Sequence, residues 1–120
     1  MILFSKEENL SVEIGNDCMF ASNIVFRPSD GHTIIDITNG KIVNRGKRIT
    51  IKDHVWLGLN TILLKGAVVE SNCIIGAGSI VSKPCTEENS IYVGVPAKKI
   101  KSNITWDRNT IPDYETTMKK

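Results

Sequence analysis

Every sixth residue from Ile51 onward is aliphatic: Ile51, Leu57, Leu63, Val69, Ile75 and Val81. Four residues after each stands a small or β-branched one, in order Val55, Thr61, Ala67, Cys73, Ser79 and Cys85. The rhythm also runs upstream through Ile14, Phe20 and Phe26, with Cys18 and Ile24 at the small position. A helix would repeat every three or four residues and a half-buried strand every two. Six residues make one short strand plus a corner, so three hexapeptides close a triangular coil of eighteen. Residues eighteen apart then stack: Ile51 on Val69, Leu57 on Ile75 and Leu63 on Val81. The coils follow one another at the inter-strand spacing of ~4.8 Å. The expected fold is all-β, a parallel β-helix. Hexapeptide coils wind left-handed, against the usual crossover rule.

The remaining features set limits. A chain of 120 residues is one domain. With 23% charged and 41% hydrophobic residues it is neither disordered nor membrane-like. Its apolar runs are far too short to span a bilayer, so no membrane insertion is expected, and nothing reads as a signal peptide. A net charge of +2 gives no reason to expect nucleic acid. The cysteines Cys18, Cys73 and Cys85 lack metal-ligand spacing and fall on the repeat. Cys73 and Cys85 would face different walls, so all three read as packing residues of a reduced, cytoplasmic protein. Only three to four coils fit between residues 8 and 86, a core small enough that oligomerisation is expected on physical grounds.

The rhythm breaks off at "SDGHTIID", Ser29 to Asp36, and returns at about Ile51. One of the two histidines, His32, lies at the break, twenty-four residues before Trp56. The motifs "SDGH", "HVWLG", "IIGAGSIVSK" and "GVPAKKI", in that order and spacing, resemble the hexapeptide-repeat acetyltransferases. The similarity is to the branch of galactoside, maltose, capsule and lipopolysaccharide O-acetyltransferases. It implies a homotrimer of left-handed prisms with acetyl-CoA in the groove between subunits. Residues 1–101 would form the β-helix domain, with an excursion at about 31–48 delivering His32 to an intersubunit site. Residues 102–120 would be an extension, with a short helix near a Trp106 anchor limited by Pro112.

The implied chemistry moves an acetyl group to a sugar or surface-polysaccharide hydroxyl by direct attack. An alcohol attacks a thioester poorly unless a base takes its proton, and histidine titrates near neutral pH. His32 is the expected general base, with Asp30 or Asp36 orienting its imidazole. By resemblance Trp56 lies near the thioester sulfur, and the Leu59 N–H stabilises the oxyanion. Ala77, Ser82, Lys83, Lys98 and Lys101 match donor-binding positions: Ala77 gives the pantetheine arm room, and the lysines meet phosphates. His54 reads as a solvated corner residue, Asp53 as a turn former, and Lys99, Lys119 and Lys120 as solvated charges. Pro96 and Ala97 would shape the exit from the last coil.

Relatives carry more coils, or a helical segment, ahead of the part that begins here near Ile14. That implies an acceptor pocket reduced or supplied differently, or a chain that is a fragment of a longer enzyme. Lys41, Arg45, Lys47 and Arg48 in the loop fit either an acidic acceptor or plain solvated charge. The alternatives are an N-acetyltransferase acting on an amino-sugar or antibiotic, and a catalytically inactive CoA-binding or oligomeric scaffold. The zinc carbonic anhydrases of this fold need three histidines. Here there are two, twenty-two residues apart, so no metal is expected.

Overall fold

A computed structural model of the chain describes residues 2–4, 7 and 10–118; Lys119 and Lys120 lie outside them. The strands form three walls. The first holds β1 (Ile2–Phe4), β2 (Ser11–Ile14), β5 (Ile49–Ile51), β8 (Val68–Val69) and β11 (Pro84–Cys85). In the second lie β3 (Met19–Phe20), β6 (Trp56–Leu57), β9 (Ile74–Ile75), β12 (Ile91–Gly94) and β13 (Ala97–Lys101). The third has β4 (Val25–Arg27), β7 (Ile62–Leu64) and β10 (Ile80–Val81). Pairing between coils is parallel. Antiparallel β1 and β13 cover the outer edges of β2 and β12.

The register is the one the rhythm predicts. Ile51 pairs with Val69, Leu57 with Ile75 and Val81 with Leu63. All six aliphatics are at most 1% exposed, as are Val55, Thr61, Ala67, Cys73 and Ser79 between them. Each buried aliphatic contributes ~1.5–3 kcal/mol against leaving it in water, so the interior column is the main source of cohesion. Ile14, Phe20 and Phe26 stack beneath Ile51, Leu57 and Leu63 at an offset of 37, which places nineteen extra residues in the interrupted coil.

The last coil departs from the rhythm. Cys85 pairs with Val69 at an offset of 16 and Tyr92 with Ile75 at 17. Cys85 therefore occupies an interior column position rather than the small position, because the turn before it is two residues short. Burial pushes its thiol pKa up to about 12, and all three cysteines are free.

The corners have their own signature. Asp17, His54, Asn72 and Asn89 share the corner between walls one and two, each with φ between 54° and 62°. Asparagine and aspartate tolerate this left-handed conformation best among residues with a side chain. Beyond β13 the chain turns back along that corner. Ile104 N–H donates to the Asn89 carbonyl (3.0 Å), Trp106 Nε1 to the His54 carbonyl (2.9 Å) and Arg108 Nη2 to the Cys18 carbonyl (3.0 Å). Helix α1 (Ile111–Met118) follows, capped by Thr110. Pro112 lies in its first turn, where its missing N–H costs nothing, so it starts the helix rather than limiting it.

Candidate active site

Residues 28–48 leave the prism at the corner between walls three and one. The base of this excursion is closed by Lys47 N–H donating to the Pro28 carbonyl (3.0 Å). Glu7 bridges its two ends, accepting from the Ser29 hydroxyl and from Gly46 N–H. A Cβ on Gly46 would lie 2.8 Å from the Pro28 carbonyl, so this join needs glycine. Further out, Val43 N–H donates to the Ile34 carbonyl (3.0 Å), and Ile35 and Ile42 form an antiparallel bridge.

His32 is exposed on the inner part of this loop. It lines a cleft of about 240 Å³ with Glu7, Thr33, Ile42, Asn44 and Arg45. Neither aspartate expected beside it bonds to its imidazole. Asp36 accepts from Thr38 N–H (2.8 Å) and hydroxyl (2.5 Å), bonds that cap its own turn and hold its carboxyl below the usual pKa. Asp30 is held by Lys65 Nζ (2.5 Å) and Asn44 Nδ2 (3.0 Å), which lower its pKa in that order. Asn44 is the residue sequence reasoning missed. It is buried in an otherwise exposed loop and also bonds the backbone on either side of Thr33. No periodicity marks such a position.

Trp56 is on the second wall, in register with Met19 below and Ile74 above, and tilts against Trp106 at 6.1 Å between ring centroids. Leu59 is at the next corner. Its carbonyl accepts from Gly78 N–H (2.8 Å), while its own N–H has no partner among the described residues. Ala77 is exposed one coil further on, its backbone close to Gly58: a Cβ on Gly58 would lie 2.7 Å from the Ala77 nitrogen. Ser82 and Lys83 follow β10 at the corner that carries the His32 loop. Lys98 and Lys101 are exposed on β13, opposite Val93 and Ile91.

Within one chain these residues form two groups. The loop with Asp30 and His32 shares its corner with Lys65, Ser82 and Lys83. Trp56, Leu59 and Ala77 lie on the second wall and its far corner, with the two β13 lysines at the wall's edge. None of the residues lining the His32 cleft comes from the second wall.

One expectation changes. His54 is not a free solvated side chain: its ring stacks on Trp106 at 3.9 Å and 6°, with Nδ1 2.7 Å from Asp17 and Nε2 3.0 Å from the Trp106 carbonyl. Lys99 is exposed, as expected, and pairs at the surface with Glu87 at 3.0 Å. The Ser102 hydroxyl, Lys99 and the Ser90 hydroxyl together pull the Glu87 pKa down to about 2. Asp53, expected as a turn former, accepts from Asn16 N–H (2.7 Å) and so ties two coils at a corner. Among the described residues no group of three or more His, Cys, Asp or Glu is placed to hold a metal ion. No helix among them is long and apolar enough to cross a membrane.

No protein-family model matches the chain. A polysialic acid O-acetyltransferase of Escherichia coli O1:K1 is 45% identical over 101 residues, 84% of this chain and 33% of that protein. The crystal structure of a polySia-specific acetyltransferase superposes with a TM-score of 0.80 at 39% identity, over 89% of this chain and 54% of the other. A galactoside acetyltransferase in complex with coenzyme A gives 0.66 at 31% identity, over 79% of this chain and 46% of the other. The chain thus spans a third of the length of the Escherichia coli O1:K1 relative and half that of a second polysialic acid O-acetyltransferase, from Neisseria meningitidis, 39% identical over 92% of this chain.

Proposed function

We propose, from the premise that this chain is a homologue of the hexapeptide-repeat sugar O-acetyltransferases, that it moves an acetyl group from acetyl-CoA to a hydroxyl of an acidic saccharide. The observation carrying the reading is His32, exposed on a braced loop in a cleft that also holds Arg45. Arg45 supplies the positive charge a sialic or uronic carboxylate needs, and the loop adds Lys41, Lys47 and Arg48. The names of two relatives, both polysialic acid O-acetyltransferases, point the same way.

In the reaction, the His32 imidazole takes the proton as the acceptor oxygen attacks the thioester carbonyl. The tetrahedral intermediate's oxyanion meets the unpartnered Leu59 N–H. Its collapse breaks the carbon–sulfur bond, and the imidazolium returns the proton to the leaving thiolate. No acyl-enzyme forms, so no serine or cysteine nucleophile is needed. Trp56 and Ala77 lie beside Leu59, where the donor's thioester and pantetheine arm would run, while Ser82, Lys83, Lys98 and Lys101 would take its polar end.

We place the site between subunits of a homotrimer. His32 and Trp56 lie on different sides of the prism, so a neighbour's wall has to meet the loop for both to reach one thioester. Ile34, Ile35, Ile37 and Val43, all more than half exposed on that loop, give the neighbour an apolar surface.

The test is release of coenzyme A thiol from acetyl-CoA with polysialic acid, neutral oligosaccharides and amino-sugars as acceptors. Turnover on the acidic glycan that falls ~10²-fold or more in His32→Ala supports the proposal, since that is the range for losing a general base. Turnover on amines alone makes the chain an N-acetyltransferase. Coenzyme A binding without turnover makes it a scaffold.

A further inference from the structure

We infer that Asn44 is a positioning residue that fixes the His32 backbone to the prism through Asp30 and Lys65. The inference rests on the reading of His32 as the base. The Asn44 amide makes three bonds. Its Oδ1 accepts from Ile34 N–H (2.8 Å), and its Nδ2 donates to the His32 carbonyl (2.8 Å) and to Asp30 Oδ2 (3.0 Å). The first two grip the backbone on either side of Thr33, so the main chain that carries the imidazole is held in place. The third passes the load to Asp30, whose carboxylate is held by Lys65 Nζ (2.5 Å).

Lys65 follows β7 directly, one coil beyond the root of the loop. The base on an exposed excursion is thus tied by side chains to the rigid wall it left. The need is geometric: a misplacement of about 1 Å at a reacting group costs ~10²-fold in rate. His32 itself is exposed and has no cage of its own. Burial agrees, since Asn44 is 9% exposed while its neighbours Val43 and Arg45 are open to solvent. A side chain recruited only for solubility would not be drawn inward with three of its four hydrogen-bonding positions used.

The chemistry is selective for the amide. Aspartate at this position would keep an acceptor for Ile34 N–H. Its other oxygen would then face the His32 carbonyl and the Asp30 carboxylate, where both bonds need a donor. Asn44→Asp is therefore expected to be as damaging as Asn44→Ala although it is nearly isosteric. Lys65→Met, which unties the anchor but leaves the grip on His32, is expected to act in the same direction and more weakly.

The experiment compares wild type, Asn44→Ala, Asn44→Asp and Lys65→Met, each verified as folded by circular dichroism, with acetyl-CoA and polysialic acid. For the two Asn44 variants kcat is expected to fall ~10²-fold, with KM for acetyl-CoA and the Kd for coenzyme A unchanged. Hydrogen exchange at the Ile34 amide is expected to quicken at least about tenfold on loss of its acceptor in Asn44→Ala, while the prism amides of Leu57 and Ile75 stay as they are. Unchanged exchange at Ile34 overturns the inference whatever the activity. Faster exchange with unaltered kcat also overturns it, since the tie would then hold a loop without aiming a base. A wild type that transfers no acetyl group overturns the proposed reaction alone, and exchange still decides whether Asn44 holds the His32 segment.

Discussion

At the scale of single residues, His54 has the most consequential surroundings outside the loop. Both ring nitrogens face acceptors: Nδ1 the Asp17 carboxylate and Nε2 the Trp106 carbonyl. Neutral imidazole has one N–H, so only the doubly protonated ring donates to both. The Trp106 carbonyl first, then Asp17, raises the His54 pKa against the opposing effects of desolvation and of Arg108, which pairs with Asp17 (2.5 Å) and lies over the Trp106 ring. A raised folded-state pKa sets the sign of the linkage. The stabilisation is fully present below the unfolded imidazole value of ~6.5 and is lost as pH rises through the higher folded value. The thermal midpoint is therefore expected to decline from pH 6 to above neutrality in wild type. In His54→Asn, which keeps a residue suited to the φ of 54°, that component should be absent. Equal slopes in the two proteins would mean that the tail docks without help from the imidazolium.

At the scale of elements, coil stacking is so close in places that a methyl group is too much. A Cβ on Gly58 would meet the Ala77 nitrogen at 2.7 Å and the Ile75 carbonyl at 2.8 Å, both backbone atoms of the next coil. Gly58→Ala is expected to cost ~1–3 kcal/mol, the range for overpacking, and to weaken coenzyme A binding as Ala77 is displaced. Denaturant unfolding and calorimetric titration would measure the two effects, and an unchanged unfolding midpoint would mean that the coils can spread. The same stacking explains what was legible in advance. An aliphatic at every sixth position has one geometric solution, so the register of Ile51 on Val69 could be read from spacing alone. The shortened final coil could not, because its offsets are set by corner backbones while Cys85 and Tyr92 look like exceptions to the pattern. The His32 motif was legible. Asn44 was not, because its three bonds come from a fold of the loop that leaves no period behind. Nor was the docking of Trp106 on His54, which joins residues 52 apart.

At the scale of the whole molecule, the proposed reaction sets a requirement on more than one prism. The loop with His32 leaves at the corner between walls three and one, while Trp56 and Leu59 belong to wall two and its far corner. If loop and wall meet only across a subunit boundary, the contact is heterologous: each subunit offers its loop to one neighbour and its wall to the other, and three such contacts close a ring. His32→Ala spoils one surface of every subunit and Trp56→Ala the opposite one, so each variant alone should be inactive. Mixed by co-expression, they should regain activity, because some boundaries join an intact loop to an intact wall. For random equal mixing that is about one boundary in four for a cyclic assembly, so up to roughly a quarter of wild-type turnover should return. Light scattering of the same samples would report the mass of a trimer. If both residues served one site within a single chain, no mixture would recover anything, and the apolar residues of the loop would need a different partner.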